Sequence, residues 1–566
     1  MINRGSNFKS VPLNIVGSSI FGRYPKISDE YTYNMLISDD FLVPYSGYQV
    51  AIKASQFSNE TQGRGCFTST KFGKMVIVLS QNVYLVNIQY NQTYDTIISE
   101  QIIKIGQLQT TEGIVYITEN NKPQILISDG QGLYVYDPTQ TPEFQAVAGL
   151  DFTPGYVTFH DTYFICAASE DSFYSPPANN TWRLSDQNNG LSWPSQSANI
   201  GLLQTKPDNT QAVIRFPSKG NMIFVMGSIV AESWFDTGAQ LFPYQRNNQF
   251  NIDYGCLSAA TVAYMDEFVV WLAQNEKSGP IIVYSDGGMP KPITTDGIDF
   301  KFSQLQNPQD SQAFLYRQDG HLIYHINFYS DNLSLFYDFN TQKFFHATDQ
   351  NGDYFIASQM AFFDNQYYFV SRNTGNLYAF DTIFTTYGDT LHGFPISYEI
   401  PRRRICKNIR NTSQDYFIAN DVGFTIESGE TNYQQQLIGP LTLVTQDGQT
   451  LIANGNSIYL QTQDNQYLLT QDGNYLIANQ TTDQIDTLIA QQSGVLYTTP
   501  AVDLSISCDG GASFGNEFRY SLPPIGVRKN RLLWWQLGVV NDLVCQFKFW
   551  GIGRFVCTDG EVNIRL

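Results

Sequence analysis

The stretch KGNMIFV, residues 219–225, places a short turn before a run of apolar residues, and the same arrangement returns along half of the chain. It reads FGKMVIV from residue 72, NKPQILI from 121, HDTYFIC from 160, MDEFVVW from 265, DGHLIYH from 319 and DNQYYFV from 364. Each step also holds further strand-like runs beside Gly or Asp turns, among them QGLYVYD, GPIIVYSD and GNLYAFD, so four short strands fit into one unit. A recurring unit of ~40–50 residues and four strands is the signature of a β-propeller. Radial closure leaves few exposed sheet edges, which suits a long all-β chain. The expectation is an all-β protein with a propeller of six or seven blades over residues 51–390. A row of β-sandwiches with coincidental spacing is the alternative, because no strict motif recurs.

Composition supports strands. Charged residues make up 15% of the 566 and aromatics 14%; a typical domain carries about 25% charged residues. Asn, Gln, Thr and Tyr fill the polar positions, and aromatic and β-branched side chains pack well on pleated faces. The length allows two to four domains. With 33 basic and 52 acidic residues the formal charge is −19. Tight binding to free DNA needs a basic surface that releases counterions, so it is not expected. A wall of the same sign as the phosphates would still let DNA slide past.

The seven cysteines, at 66, 166, 256, 406, 508, 545 and 557, are odd in number and form no CxxC, which points to free thiols in a reducing cytoplasm. The opening MINRGSNFKSVPLNIVGSSIFGRYP lacks the apolar core of a signal peptide. No run approaches the ~20 apolar residues of a membrane span.

After about residue 390 the texture changes. IPRRRICKNIR precedes the strand-like DYFIANDVGFTIESG, and a polar tract follows with its own repeat, TQDGQTLIAN at 445 and TQDGNYLIAN at 470, with a weaker TQDNQYLLT at 462. Asp-Gly and Asp-Asn turns followed by alternating residues read as stacked hairpins. Strand texture resumes at AVDLSISCDGG and continues through RLLWWQLG and LVCQFKFWG. The order predicts a β-sandwich over 391–430 and 501–566 that carries a β-rich insertion at 431–500, with residues 1–50 as an N-terminal arm and closing strands.

Catalytic patterns are scarce. Of the five histidines (160, 321, 325, 346 and 392), His321 and His325 look like a metal pair, but residues four apart on a strand lie ~13 Å from each other. Two zinc ligands must each stand ~2 Å from one ion. Neither a GxSxG elbow nor a GxxxxGK phosphate loop is present. SCDGGASF, residues 507–514, is similar to the Asp box of sialidases, a turn-tying element away from any catalytic centre; LSDQNNGLSW at 184 is a poorer relative. The expectation is no enzyme, no metal and no cofactor.

VAESWFDTG, residues 230–238, places Glu232 and Asp236 around a Trp-Phe pair. On a strand, Val230, Glu232 and Trp234 share one face and Ala231, Ser233 and Phe235 the other. A carboxylate beside Trp on a half-buried face accepts backbone or hydroxyl hydrogen bonds, since a buried unpaired charge is costly; Asp236 and Gly238 make the turn. Arg402, Arg403, Arg404, Lys407 and Arg410 place five basic residues within nine positions. They form either a solvated strand surface or a docking patch for an acidic partner, with Arg402 and Arg404 on one face and Arg403 on the other.

The segment from VAESWFDTG to IIVYSDGG resembles the tail hub, or nozzle, of short-tailed bacteriophages, the packaged-DNA stabilisation protein family. Matching positions are Glu232, Ser233, Trp234, Gly238, Pro243, Tyr244, Gln245, Arg246, Gly255, Cys256, Ser258, Trp271, Leu272, Val283 and Tyr284. EYTYNMLISDDFLVPYSGY agrees at Asn34 and Gly47, and VDLSISCDGG through LLWWQLG is similar to the family's last strand set. The usual Tyr-Pro-Glu ending of the N-terminal element is absent, and the 431–500 tract is an addition. The resemblance implies a structural virion protein: a homo-hexamer in the virion tail, assembled in the bacterial host cytoplasm, below the portal and adaptor ring. It would retain packaged DNA, conduct it without holding it, and dock tailspikes, tail fibres, a plug or a needle. In that family Glu232, Trp234, Gln245, Arg246, Gly255 and Trp271 are architectural. The alternatives are a carbohydrate-binding or glycan-hydrolysing propeller, suggested by the Asp-box-like hairpin and the aromatics, and a monomeric host scaffold.

Overall fold

The computed structural model describes residues 8–23, 29–90, 97–216, 218–239, 241–248, 251–265, 267–391, 394–411, 416–428, 442–444, 450–453, 460–461, 500–522, 529–551 and 553–565. The inserted hairpin repeat and His392 lie outside these residues, apart from three short strands within the insert.

Seven antiparallel four-stranded units follow one another along the chain: blades 1 to 6 over 63–107, 116–146, 153–202, 210–246, 263–292 and 311–346, and blade 7 over 357–381. The fourth strand of blade 7 is not sequential. Gly47–Ile52, from the N-terminal side of blade 1, pairs antiparallel with Thr374–Asp381 and so closes the ring.

All seven turn-plus-strand repeats contain the second strand of a blade, and burial explains their continuous apolar character. Alternate residues of these strands face opposite neighbours. In blade 1, Val76 and Val78 pack toward Ile125 and Ile127 of blade 2, while Met75, Ile77 and Leu79 pack toward Tyr368 and Val370 of blade 7. In blade 4, Ile223 and Val225 meet Ile165 and Ala167 of blade 3, while Phe224 and Met226 meet Val269 and Trp271 of blade 5. A strand buried on both faces loses the polar half of its alternation. The turns before blades 6 and 7's second strands are two-residue hairpins, with Asp319 and Gly320 at φ 45° and 86° and Asp364 and Asn365 at 46° and 62°. Positive φ at both positions is what the I′ form of such a turn requires.

Of two larger sheets beyond the blades, the first continues blade 6. The outer strand of blade 6, Lys343–His346, pairs in parallel with Tyr31–Tyr33; the sheet runs on through Arg402–Ile405, Asp542–Trp550 and Ala501–Ser507 to Phe518–Ser521. A second sheet orders Met35–Ser38, Phe41–Pro44, Phe555–Arg565, Phe417–Ser428 and Lys529–Val540. Phe424 and Trp534 of the second sheet pack against Phe547 of the first, and both sheets share one apolar core with the inner residues of blades 6 and 7.

The N-terminal positions Asn34 and Gly47 are junctions. Asn34, at φ 53° and fully buried, donates to Thr348 Oγ1 and Pro401 O at 2.8 Å each and accepts from Thr348 N at 2.9 Å. A Cβ on Gly47 would lie 2.3 Å from Thr386 O, so only glycine fits.

Candidate functional site

Ala231–Asp236 is the third strand of blade 4, and both of its faces are covered, not one as the sequence reading assumed. Val230 and Trp234 face blade 3, where the Trp234 and Trp182 rings meet edge to face at 5.4 Å; Ala231 and Phe235 face blade 5. Glu232, 2% exposed, accepts from Gln204 N and Thr205 Oγ1 at 2.7 Å each and from Thr205 N on one oxygen, and from Trp234 Nε1 at 3.0 Å on the other. Arg246 Nε stands 3.6 Å away. Every donor comes from a fixed part of the blade, so the carboxylate ties strand to loop. Asp208 does the reverse, accepting from Ser228 Oγ, Ile229 N and Val230 N. The sequence reading missed Asp208, which stands in an ordinary-looking Asp-Asn turn.

The other motif residues are equally structural in position. Trp271 donates from Nε1 to Gly255 O at 3.1 Å, and a Cβ on Gly255 would meet Ile229 N at 2.2 Å. Arg246 donates to Thr205 Oγ1 at 2.7 Å, and Gln245 is exposed. Asp236 accepts from Gly238 N at 2.8 Å, closing the expected turn.

The arginine cluster needs correction. Arg402 and Arg404 share a face, but that face is the interior, so neither is available to a partner. Arg404 pairs with Glu30 at 2.7 Å and donates to the carbonyls of Asn14, Ile15 and Ser18. Arg402 donates to Gly551 O at 3.0 Å and Thr385 O at 3.4 Å. A strand alternates its side chains, and here the inner set happens to be cationic. Arg403 faces outward, its guanidinium 4.2 Å over the Tyr33 ring, and lines a hollow of ≈ 270 Å³ with Lys548 and Trp550. Lys407 is exposed, and Arg410 is paired with Asp542.

The histidines are engaged singly. His321 bonds Asp338 at 2.9 Å; His325 bonds Tyr45 and Asn327 at 3.1 Å each; His346 bonds Ser19 at 2.8 Å; His160 bonds Tyr244 at 2.9 Å. Burial pushes His325 and His346 down to about 3, so both are neutral at pH 7. Among the described residues no group of three His, Cys, Asp or Glu side chains is placed to hold a metal. The Asp-box-like turn behaves as its pattern suggests: Asp509 accepts from Ser507 Oγ and Ser513 Oγ at 2.6 Å each, bonds that hold its carboxyl below the usual range.

The inner strands of six blades surround one cavity of ≈ 230 Å³. Its walls include Phe67, Tyr116, Ile117, Tyr156, Tyr264, Phe314, Leu315 and Met360, and no carboxylate, imidazole or basic group. Burial raises the Tyr116 and Tyr156 hydroxyls and pushes the Cys66 thiol up to about 12, so this wall carries no charge. Pockets that enclose drug-sized ligands run from about 300 to 1,000 Å³, and a catalytic site needs convergent titratable groups. The bore offers neither.

Against this closed ring stands one comparison that decides the family. The family described as bacteriophage P22 Gp10, beta-propeller, matches residues 29–384, from before the closing strand to just past blade 7. The chain belongs to that family. As a member of the Gp10 β-propeller family it is a phage structural protein and a component of the virion. No curated protein matches it. Among solved structures, the N-terminal domain of Nup159 is similar at 11% identity and a TM-score of 0.37, over 62% of this chain and 98% of that one. A catalytically inactive virginiamycin B lyase from Staphylococcus aureus is similar at 9% identity and a TM-score of 0.39, over 59% and 99%. An ancestral GH74 enzyme follows at 11% identity and 0.37, over 70% and 61%. Likenesses this distant carry no argument about the Gp10-family chain. None of its described helices is long and apolar enough to cross a membrane.

Proposed function

We propose that this chain is one subunit of the tail hub, or nozzle, of a short-tailed phage, a homo-hexamer seated below the portal and adaptor ring. In this reading it keeps packaged DNA in the head, forms the wall of the ejection channel, docks tailspikes or fibres and a plug or needle, and catalyses nothing. It assembles in the bacterial host cytoplasm and functions in the virion tail. The observation that carries the reading is that the Gp10-family match spans the whole blade ring.

Three features support it. The cavity of ≈ 230 Å³ at the inner strands is lined by no charged group, so in this reading DNA passes between copies and not through a propeller. The net charge of −19 suits a wall that DNA slides along. Trp535 and Val539 are 61% and 63% exposed on Lys529–Val540, the last strand of its sheet among the described residues, where exposed apolar side chains favour contact with another chain. The two C-terminal sheets act as a β-sandwich platform that carries the 431–500 insertion. Its outward cations, Arg403, Lys407 and Arg410, are the docking candidates.

The test is genetic and biochemical. Phage lacking this chain should fill heads that then leak DNA, and added protein should restore retention. Heads that retain DNA without it, or cleavage of host glycans by the purified chain, would overturn the reading.

A further inference from the structure

A second cavity, of ≈ 190 Å³, lies where the ring meets the C-terminal sheets. Leu36, Val43, Phe384 and Phe555 give it apolar walls. Polar and charged residues line the rest, the Asp319 carboxylate and His321 among them, and three of these residues keep a buried atom without a hydrogen-bond partner: Ser46 Oγ, Gln318 Oε1 and Arg402 Nε. Arg554, exposed, stands at the same cavity.

Arg402 is the unusual member. It is 2% exposed, and among the described residues no carboxylate lies within ion-pair distance of it. Its terminal nitrogens reach only the carbonyls of Gly551 and Thr385, and the charge of Glu399, which favours its cationic form, acts from a carboxylate already bonded to Gly551 N. Burial lowers it to about 10, which still leaves it charged at pH 7. A buried cation whose nearest carboxylate is held by another group is costly, and an unmet donor beside it adds to the cost. An anion in the cavity would meet the donor and offset part of that cost.

We propose that this cavity is a binding site for a small oxyanion, a phosphate or a carboxylate. Its oxygens accept from Arg402 Nε and from the Ser46 hydroxyl, with Arg554 adding positive charge at the cavity. Gln318 accepts from a protonated ligand oxygen, or turns its amide to donate. The apolar walls restrict the ligand to one compact charged head. The site lies at the seam that joins blade 6, the segment after blade 7 and the Met35–Pro44 hairpin, so filling it would stiffen the junction between ring and platform.

The test uses the full chain with two probes, inorganic phosphate and acetate, each compared with chloride at equal ionic strength. Binding is read by equilibrium dialysis and by thermal unfolding. Saturable binding of phosphate supports a phosphate ligand, and saturable binding of acetate alone supports a small carboxylate. Arg402→Met should weaken binding about tenfold or more, the loss of a charge-assisted hydrogen bond. Should Arg402→Met fail to fold, the exposed Arg554→Ala variant reads the same site and should weaken binding about threefold. Phosphate also stabilises proteins generally by exclusion from their surfaces. An unsaturable rise in unfolding temperature, equal in wild type and Arg554→Ala, would therefore overturn the proposal, as would no binding of either probe.

Discussion

Trp234 Nε1 donates to Glu232 Oε2 across 3.0 Å, two positions along one strand, inside the wall between blades 3 and 4. The same carboxylate holds Gln204 and Thr205, so one side chain fixes the indole and the loop leading into blade 4. Glu232→Ala strands four donors inside the blade wall. Its stability should fall by about 3 kcal/mol, measured by urea unfolding, while the isosteric Glu232→Gln loses less. A change below about 0.5 kcal/mol would remove Glu232 from the architecture.

Arg403 and Arg404 are neighbours with opposite surroundings. Arg404→Met leaves Glu30 buried without its partner and should cost about 3–5 kcal/mol. Arg403→Ala loses a stacking contact with Tyr33 and should cost about 1 kcal/mol or less. Thermal unfolding of the two variants side by side checks the strand's alternation directly.

That contrast shows what the sequence conveyed. The seven second strands were legible because each is buried between two blades and so appears as an unbroken apolar run such as Phe268–Ala273. Glu232 was legible because a carboxylate next to Trp inside a strand needs donors. The interior place of Arg402 and Arg404 was not. It depends on Glu30 and on carbonyls at 14, 15, 18 and 551, which approach only when the two chain ends fold onto each other. Asp208 and the buried Arg183–Asp171 pair, at 2.6 Å, escaped for the same reason: their partners become neighbours only in the folded blade.

Acid should weaken the fold early. His325 and His346 titrate near 3 in the folded chain, against about 6.5 when unfolded. Between these values the unfolded chain binds more protons, so stability is full above about pH 6.5 and falls by up to about 1.4 kcal/mol per histidine for each pH unit below it. Urea midpoints from pH 7 to pH 5 should fall, and fall less in His346→Gln. A flat profile over that range would contradict the burial of both rings.

Gly255 packs against backbone, so Gly255→Ala drives a methyl group into Ile229 N. The variant should lose at least about 3 kcal/mol and be poorly folded at 37 °C, as followed by circular dichroism and solubility.

The acidic chain should show no measurable retention of duplex DNA at physiological salt, by fluorescence anisotropy. Tight, salt-sensitive binding would count against a sliding wall.

The most direct measurement is electron microscopy of the purified chain mixed with its portal and adaptor complex. A six-fold ring of propellers at the tail end, its central opening bounded by several copies, is the predicted result. Single propellers that ignore the portal, or DNA density inside a blade ring, would contradict the account.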